Sequence, residues 1–192
     1  CRHEDPANWV EAAARELEAG RIVNVVRGAM EYGPRALCHT TTLAWPTAQN
    51  VHAINQLNER DEAMPMAPVV TRAQALRLFR HDELLEISPS DRFMITTVAF
   101  QKPPTELLRG VAHPDPLDPE VWTARPQVVD EGDDMHALLT RLDASCLIYT
   151  SYNYHGEPIV FTEDDACRTH DMQVFRAQTL GIEPPATIIV RN

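Results

Sequence analysis

Apolar residues recur along this chain with two spacings, one near 3.6 and one of two, and the switches between them mark its elements. Between Asp5 and Gly20, the residues Trp9, Val10, Ala13 and Leu17 fall on one helical face. Asp5 is placed to cap that helix, Pro6 suits its first turn and Gly20 its stop. Arg21–Arg27 (RIVNVVR) follows as a short strand. Gly28 to Thr41 has little periodicity and carries Gly28, Gly33 and Pro34, so it is a loop; Thr42–Trp45 is a short strand. Asn50–Arg60 is a helix with Val51, Ile54 and Leu57 on one side, and Asp61–Pro68 is a proline-broken loop. Val69 and Val70 resume a strand, Arg72–Phe79 is a helix, and Phe93–Phe100 (FMITTVAF) is the clearest strand of the middle. Five prolines from Pro103 to Pro119 bracket an irregular region. Ala124–Val129 is a strand, Asp133–Leu142 an amphipathic helix and Cys146–Tyr152 a strand. Thr162 with Asp165 forms a capping-box start for a helix over Glu163–Leu180, and Ala186–Val190 is a terminal strand. Helices and strands alternate without repeat or linker, which predicts one α/β domain over residues 1–192 with a mixed sheet.

Charge narrows the function. Seventeen basic residues against twenty-eight acidic ones leave a formal charge of −11. Neither nucleic acid nor an anionic membrane surface is expected as a partner, and an anionic ligand needs a local basic pocket. No apolar run approaches the ~20 residues of a membrane span. The cations are sixteen Arg and one Lys, Lys102. The four cysteines, at 1, 38, 146 and 167, have no zinc-type spacing and are too few for a disulfide scaffold. A reducing, cytoplasmic setting is the expectation. Cys1 is open to two readings: an N-terminal nucleophile with its own amine as base, or the first residue of a piece of a longer chain. No signal-peptide pattern stands at this end.

Three segments look unlike routine packing. Gly28-Ala-Met-Glu-Tyr-Gly-Pro-Arg-Ala-Leu37 follows a strand and sets Glu31 and Arg35 beside two glycines. Such a turn lets backbone N–H groups and a guanidinium approach an anion; a tight turn with a surface ion pair is the alternative. Tyr149-Thr-Ser-Tyr-Asn153-Tyr-His-Gly156 leaves a strand with hydroxyl and amide side chains, which bind ligand at strand ends or satisfy their own turn. Ile54 to Pro68 (INQLNERDEAMPMAP) alone says only helix, then stiff loop.

Together the three resemble the C-terminal domain of the O-carbamoyltransferase family, which includes nodulation-factor, cephalosporin and tobramycin carbamoyltransferases. The family's Gly-x-Met-Glu-Phe-Gly-Pro-Arg-Ala-Leu is matched by Gly28–Leu37 with Tyr32 for Phe. Its Asn-Thr-Ser-Phe-Asn, then Gly-Glu-Pro-Ile-Val, is matched by Tyr149–Asn153 and Gly156–Val160, with Tyr149 for the first Asn. Its middle pattern, an Asn, a Lys, an Arg-Glu and an Arg-Pro-Phe-Ala-Pro, maps onto Asn55 to Pro68. Met94 and Ala124-Arg125 fall where the family has a Met and an Ala-Arg, so the likeness covers residues 5–190.

That resemblance implies a YrdC-like open twisted mixed sheet with flanking helices. It implies a domain that binds ATP and carbamoyl phosphate and forms or holds carbamoyl adenylate. A separate actin-like N-terminal domain, where any metal would sit, then transfers the carbamoyl group to an alcohol. Carried over by position, Arg35 and Arg125 would grip phosphate or carbamoyl oxygens with planar forks, and Ser151 would donate to them. Met94, Thr150 and Asn153 complete the implied pocket. The departures are as informative. Asn58 stands for the family's Lys and Met64 for an Arg, so two cationic ligands are replaced. These changes favour the chief rival, a non-catalytic domain that binds the partner domain or a nucleotide; an N-terminal cysteine hydrolase is the remoter one.

Overall fold

Residues 1–5, 7–62, 64–80 and 92–191 are described by a computed structural model. In chain order the elements are β1 (Arg2–Glu4), α1 (Trp9–Glu18), β2 (Val23–Arg27), β3 (Thr40–Ala44), α2 (Ala48–Asn58), β4 (Ala67–Thr71), α3 (Arg72–Leu78) and β5 (Val98–Ala99). A 3-10 turn, Glu106–Leu108, precedes β6 (His113–Pro114), β7 (Trp122–Ala124), β8 (Gln127–Val129), α4 (Asp134–Arg141), β9 (Leu147–Ser151), α5 (Glu163–Leu180) and β10 (Ala186–Val190).

Two-residue alternation in the strands gives one sheet two apolar faces. Leu43, Val69, Leu147 and Tyr149 point to one core, with Trp9, Leu17, Met135 and Leu138 from α1 and α4. Their neighbours Ala44, Val70 and Ile148 point to the other, against Ile54 and Leu57 of α2 and Phe79 beyond α3. The seven strands run β1-β10-β2-β3-β9-β4-β8. β1/β10, β10/β2 and β4/β8 are parallel, and β2/β3, β3/β9 and β9/β4 antiparallel. The sheet is therefore mixed, with helices on both faces, as expected. A second sheet of three short strands, β5-β7-β6, stands beside it. Among the described residues no helix is long and apolar enough to cross a membrane.

Helix ends follow local chemistry. Thr162 accepts from Asp165 N and Asp165 caps back, which starts α5, and Gly181 at φ 68 ends it. Asp133 caps α4 through Met135 N at 2.7 Å. The first helix differs from expectation: it begins at Trp9 with Asn8 as its cap residue, and the backbone carbonyl of Asp5 receives Asn8 N. Arg2–Glu4 before it forms a strand on β10 that its polar sequence did not announce.

Two expected strands break up. Of Phe93–Phe100 only Val98–Ala99 is a strand; Phe93 and Ile95 are exposed and Met94 takes φ 54, a left-handed backbone that ends any ladder. Ala124–Val129 divides at Arg125-Pro126, because Pro126 has no N–H to give a ladder. Its halves join different sheets, β7 the small one and β8 the large.

Candidate anion-binding site

The ends of β9 and β4, the exit of α2 and the β2–β3 loop surround one cavity of about 210 Å³. Each wall is set by its own local geometry. In the β2–β3 loop, Glu31 is buried and its Oε1 accepts three backbone N–H groups, from Leu37 at 2.8 Å, His39 at 2.8 Å and Thr40 at 3.0 Å. Arg27 Nε donates to the carbonyl of Cys38 at 2.8 Å from the other side. Glu31 thus anchors the loop and forms no ion pair with Arg35; the loop presents Pro34, Arg35 and Ala36 to the cavity.

At the exit of α2, Glu59 turns left-handed at φ 53 and Arg60 N closes onto the carbonyl of Asn55 at 2.9 Å. The turn swings the Arg60 side chain into the cavity, where its Nη1 donates to Thr150 Oγ1. Burial lowers the pKa of this guanidinium from the ordinary arginine value, yet arginine stays charged. Arg125 enters from the joint between the two sheets, and Met94 from the segment before β5. Thr150, Ser151, Asn153 and His155 line the β9 side.

The cavity therefore gathers Arg35, Met94, Arg125, Thr150, Ser151 and Asn153, with Met64 at its rim. Asn153 spends its amide on the carbonyls of Tyr154 at 3.1 Å and Glu157 at 2.9 Å, so its donor serves the turn. Asn58, the altered family position, is fully buried and is not among the residues lining the cavity; its Oδ1 accepts from Gln173 Nε2 at 2.7 Å. An expected charged-ligand position is occupied by a core amide. Cys1 is exposed next to β1, four places along the sheet from β9. His113 Nε2 meets the carbonyl of Met66 at 3.1 Å.

Sequence reasoning left out Arg60, His155 and Tyr149 as lining residues. Arg60 had a signal, since it occupies the Arg of the middle motif. The Nε atoms of Arg60 and Arg125 and the Tyr149 hydroxyl are buried with no hydrogen-bond partner among the described residues. Burial pushes the Tyr149 phenol well up, the Cys38 thiol adds to this, and Arg125 and Arg35 pull the other way. The hydroxyl stays protonated, a donor. No Asp or Glu is among the described residues that line the cavity. Three arginines thus line one cavity of a chain whose formal charge is −11.

The Carbamoyltransferase C-terminus family model matches residues 14–183. The chain belongs to this family. An uncharacterised protein of Methanocaldococcus jannaschii is 32% identical over 167 residues, covering 84% of this chain and 30% of that protein. The 3'-hydroxymethylcephem-O-carbamoyltransferase of Amycolatopsis lactamdurans is 32% identical over 169 residues, covering 81% of this chain and 30% of the enzyme. This carbamoyltransferase C-terminus therefore spans about a third of the length of the curated relatives it matches. Its fold is that of the Sua5 and HypF domains. A variant of P. abyssi Sua5 superposes with a TM-score of 0.58 at 13% identity, over 95% of this chain and 49% of that one. Full-length HypF in its phosphate- and nucleotide-bound form gives 0.56 at 13% identity, over 95% and 24%.

Proposed function

We propose that the cavity binds carbamoyl phosphate and the phosphates of ATP, and that carbamoyl adenylate forms or is held there for an N-terminal domain to pass to an alcohol. One observation carries this: Arg35, Arg60 and Arg125, from three separate segments, meet in a cavity with no carboxylate among its described lining residues. Guanidiniums so placed repel one another unless an anion lies between them, and planar forks suit phosphate and carbamoyl oxygens. The family, with carbamoyl transfer in its name, and the phosphate and nucleotide carried by HypF agree with it.

In this reading carbamoyl phosphate loses its phosphate to water, leaving carbamate. A carbamate oxygen then bonds to the α-phosphorus of ATP and pyrophosphate leaves. The protein's part is electrostatic: Arg35, Arg60 and Arg125 meet the charge that gathers on phosphorus oxygens, and Ser151 adds a hydroxyl donor. At about 210 Å³ the cavity holds a phosphate or carbamoyl group, below the ~300 Å³ of a drug-sized pocket. The nucleoside then extends over Met94 toward Phe93, along a groove that shares Arg35 and Arg125.

Calorimetric titration with carbamoyl phosphate and with ATP tests the reading. Arg125→Ala removes one charged hydrogen-bonding group, worth ~1.5–3 kcal/mol, so affinity should fall by about ten- to a hundredfold. Equal affinities for parent and variant would refute the site. Met64, exposed at the rim where the family has Arg, favours the rival of a binding-only domain. Pyrophosphate release from ATP with carbamoyl phosphate separates the two, since only the catalytic domain gives it.

A further inference from the structure

Asn58 no longer serves as a cavity ligand, yet it is held by a chain of buried side chains that reaches across the sheet. Thr42 Oγ1 donates to Asn24 Oδ1 at 2.7 Å, and Asn24 Nδ2 donates to Gln173 Oε1 at 2.7 Å and to Thr187 Oγ1 at 3.0 Å. Gln173 Nε2 then donates to Asn58 Oδ1 at 2.7 Å. Asn24, Thr42, Asn58, Gln173 and Thr187 are all buried. His170 Nδ1 closes the far end against Thr187 Oγ1 at 2.9 Å. Such a chain fixes donor and acceptor directions at every link, so it specifies one arrangement.

The near end of the chain lies at the cavity wall. The backbone carbonyl of Asn58 accepts His155 N at 2.9 Å, and the same turn carries Arg60. α5 also grips this point through Arg176, whose Nε donates to the carbonyl of Gln56 at 2.9 Å and whose Nη1 meets Glu59. The last turn of α2 is thus clamped from α5 on both flanks of Asn58.

We infer that Gln173, whose side chain bonds Asn24 and Asn58 and lies off the cavity lining, is a positioning residue: through Asn58 it fixes where Arg60 and the His155 turn stand in the anion site. This rests on the anion-binding reading above. The family resemblance sets a lysine at position 58. In this chain the amide there has become the support for the neighbouring arginine.

The test is a double-mutant cycle with carbamoyl phosphate as the probe. Gln173→Leu is titrated in the unmodified chain, in Arg60→Ala and in Arg125→Lys. A loss of about tenfold, the size of one net hydrogen bond, is expected in the unmodified chain and in Arg125→Lys. In Arg60→Ala the loss should shrink, because the guanidinium that Gln173 positions is gone and only the His155 turn is left to shift. Gln173→Asn, one methylene short of Asn58, replaces Gln173→Leu if that variant fails to fold. Without ligand, hydrogen exchange at the His155 amide should speed up in either variant. No binding by the unmodified chain sinks the reading of the site and this inference with it. Equal losses in all three backgrounds, or an unchanged His155 amide, sink the inference alone.

Discussion

Asn58→Lys restores the family's residue, and the structure predicts that it harms the protein. Asn58 is fully buried, and its Oδ1 is the acceptor for Gln173 Nε2 at 2.7 Å. Lysine has no acceptor, so the Gln173 donor is left unpaired inside, at a cost of ~1–3 kcal/mol. Its ammonium meets the same buried site, where an unpaired charge costs several kcal/mol or gives up its proton. A loss of about 4 kcal/mol follows, a large part of the ~5–15 kcal/mol that holds a domain together. At ~2–4 °C per kcal/mol for a chain of this size, the melting temperature should fall by roughly 8–16 °C. The sign of the pH effect is fixed as well. Burial depresses the folded-state pKa below the unfolded value near ~10.4, so between the two the unfolded chain binds the extra proton. The deficit should therefore shrink as pH is raised through that window. Thermal melts by circular dichroism at several pH values, with ATP titration beside them, measure both. A variant that melts within ~2 °C of the parent and binds ATP more tightly would show that residue 58 reaches the cavity.

Three further outcomes are expected. Glu31→Ala strips the acceptor shared by Leu37, His39 and Thr40 N–H groups, and should cost ~2–4 kcal/mol in urea unfolding together with loss of carbamoyl phosphate binding; Glu31→Gln, which keeps an acceptor oxygen, should cost less than half of that. Gly110→Ala would bring a methyl to 2.7 Å from the Thr47 carbonyl oxygen, so ~1–3 kcal/mol of destabilisation is expected, and an unchanged melt would contradict the packing there. Burial pushes the Cys146 thiol up to about 12 and Cys38 higher still, so at pH 8 a thiol reagent should modify exposed Cys1 first and reach Cys38 and Cys146 only as fast as the chain unfolds.

Elements that carry their own signals were legible. The α5 helix has its capping box at Thr162 and its glycine stop at Gly181, both written locally. β1 was not legible, because Arg-His-Glu becomes a strand only by pairing with β10, far along the chain. Phe93–Phe100 misled for a related reason: its β-propensity is strong, but only Val98 and Ala99 find a partner strand, in β7. Pro126 did write the break in Ala124–Val129, and the reading passed over it. At the site, motif order placed Arg35, Met94, Arg125, Thr150 and Ser151 around one cavity. The direction of a side chain at a helix exit is a different matter. Asn58 turns inward because Gln173, 115 residues away, holds it, and Arg60 turns to the cavity because Glu59 takes a left-handed backbone. The first cause lies far along the chain, and the second is a backbone conformation that a glutamate does not announce.

Arg125 and Pro126 are the whole covalent joint between β7 in the small sheet and β8 in the large one. Proline locks one dihedral of that joint, so the place of Arg125 depends on how the small sheet meets the large one. Displacing a group by about 1 Å from its working position can cost on the order of a hundredfold in rate. The three-stranded sheet thus carries one wall of the cavity. Exchanges as far out as His113–Pro114 can retune the site without altering any residue that lines it.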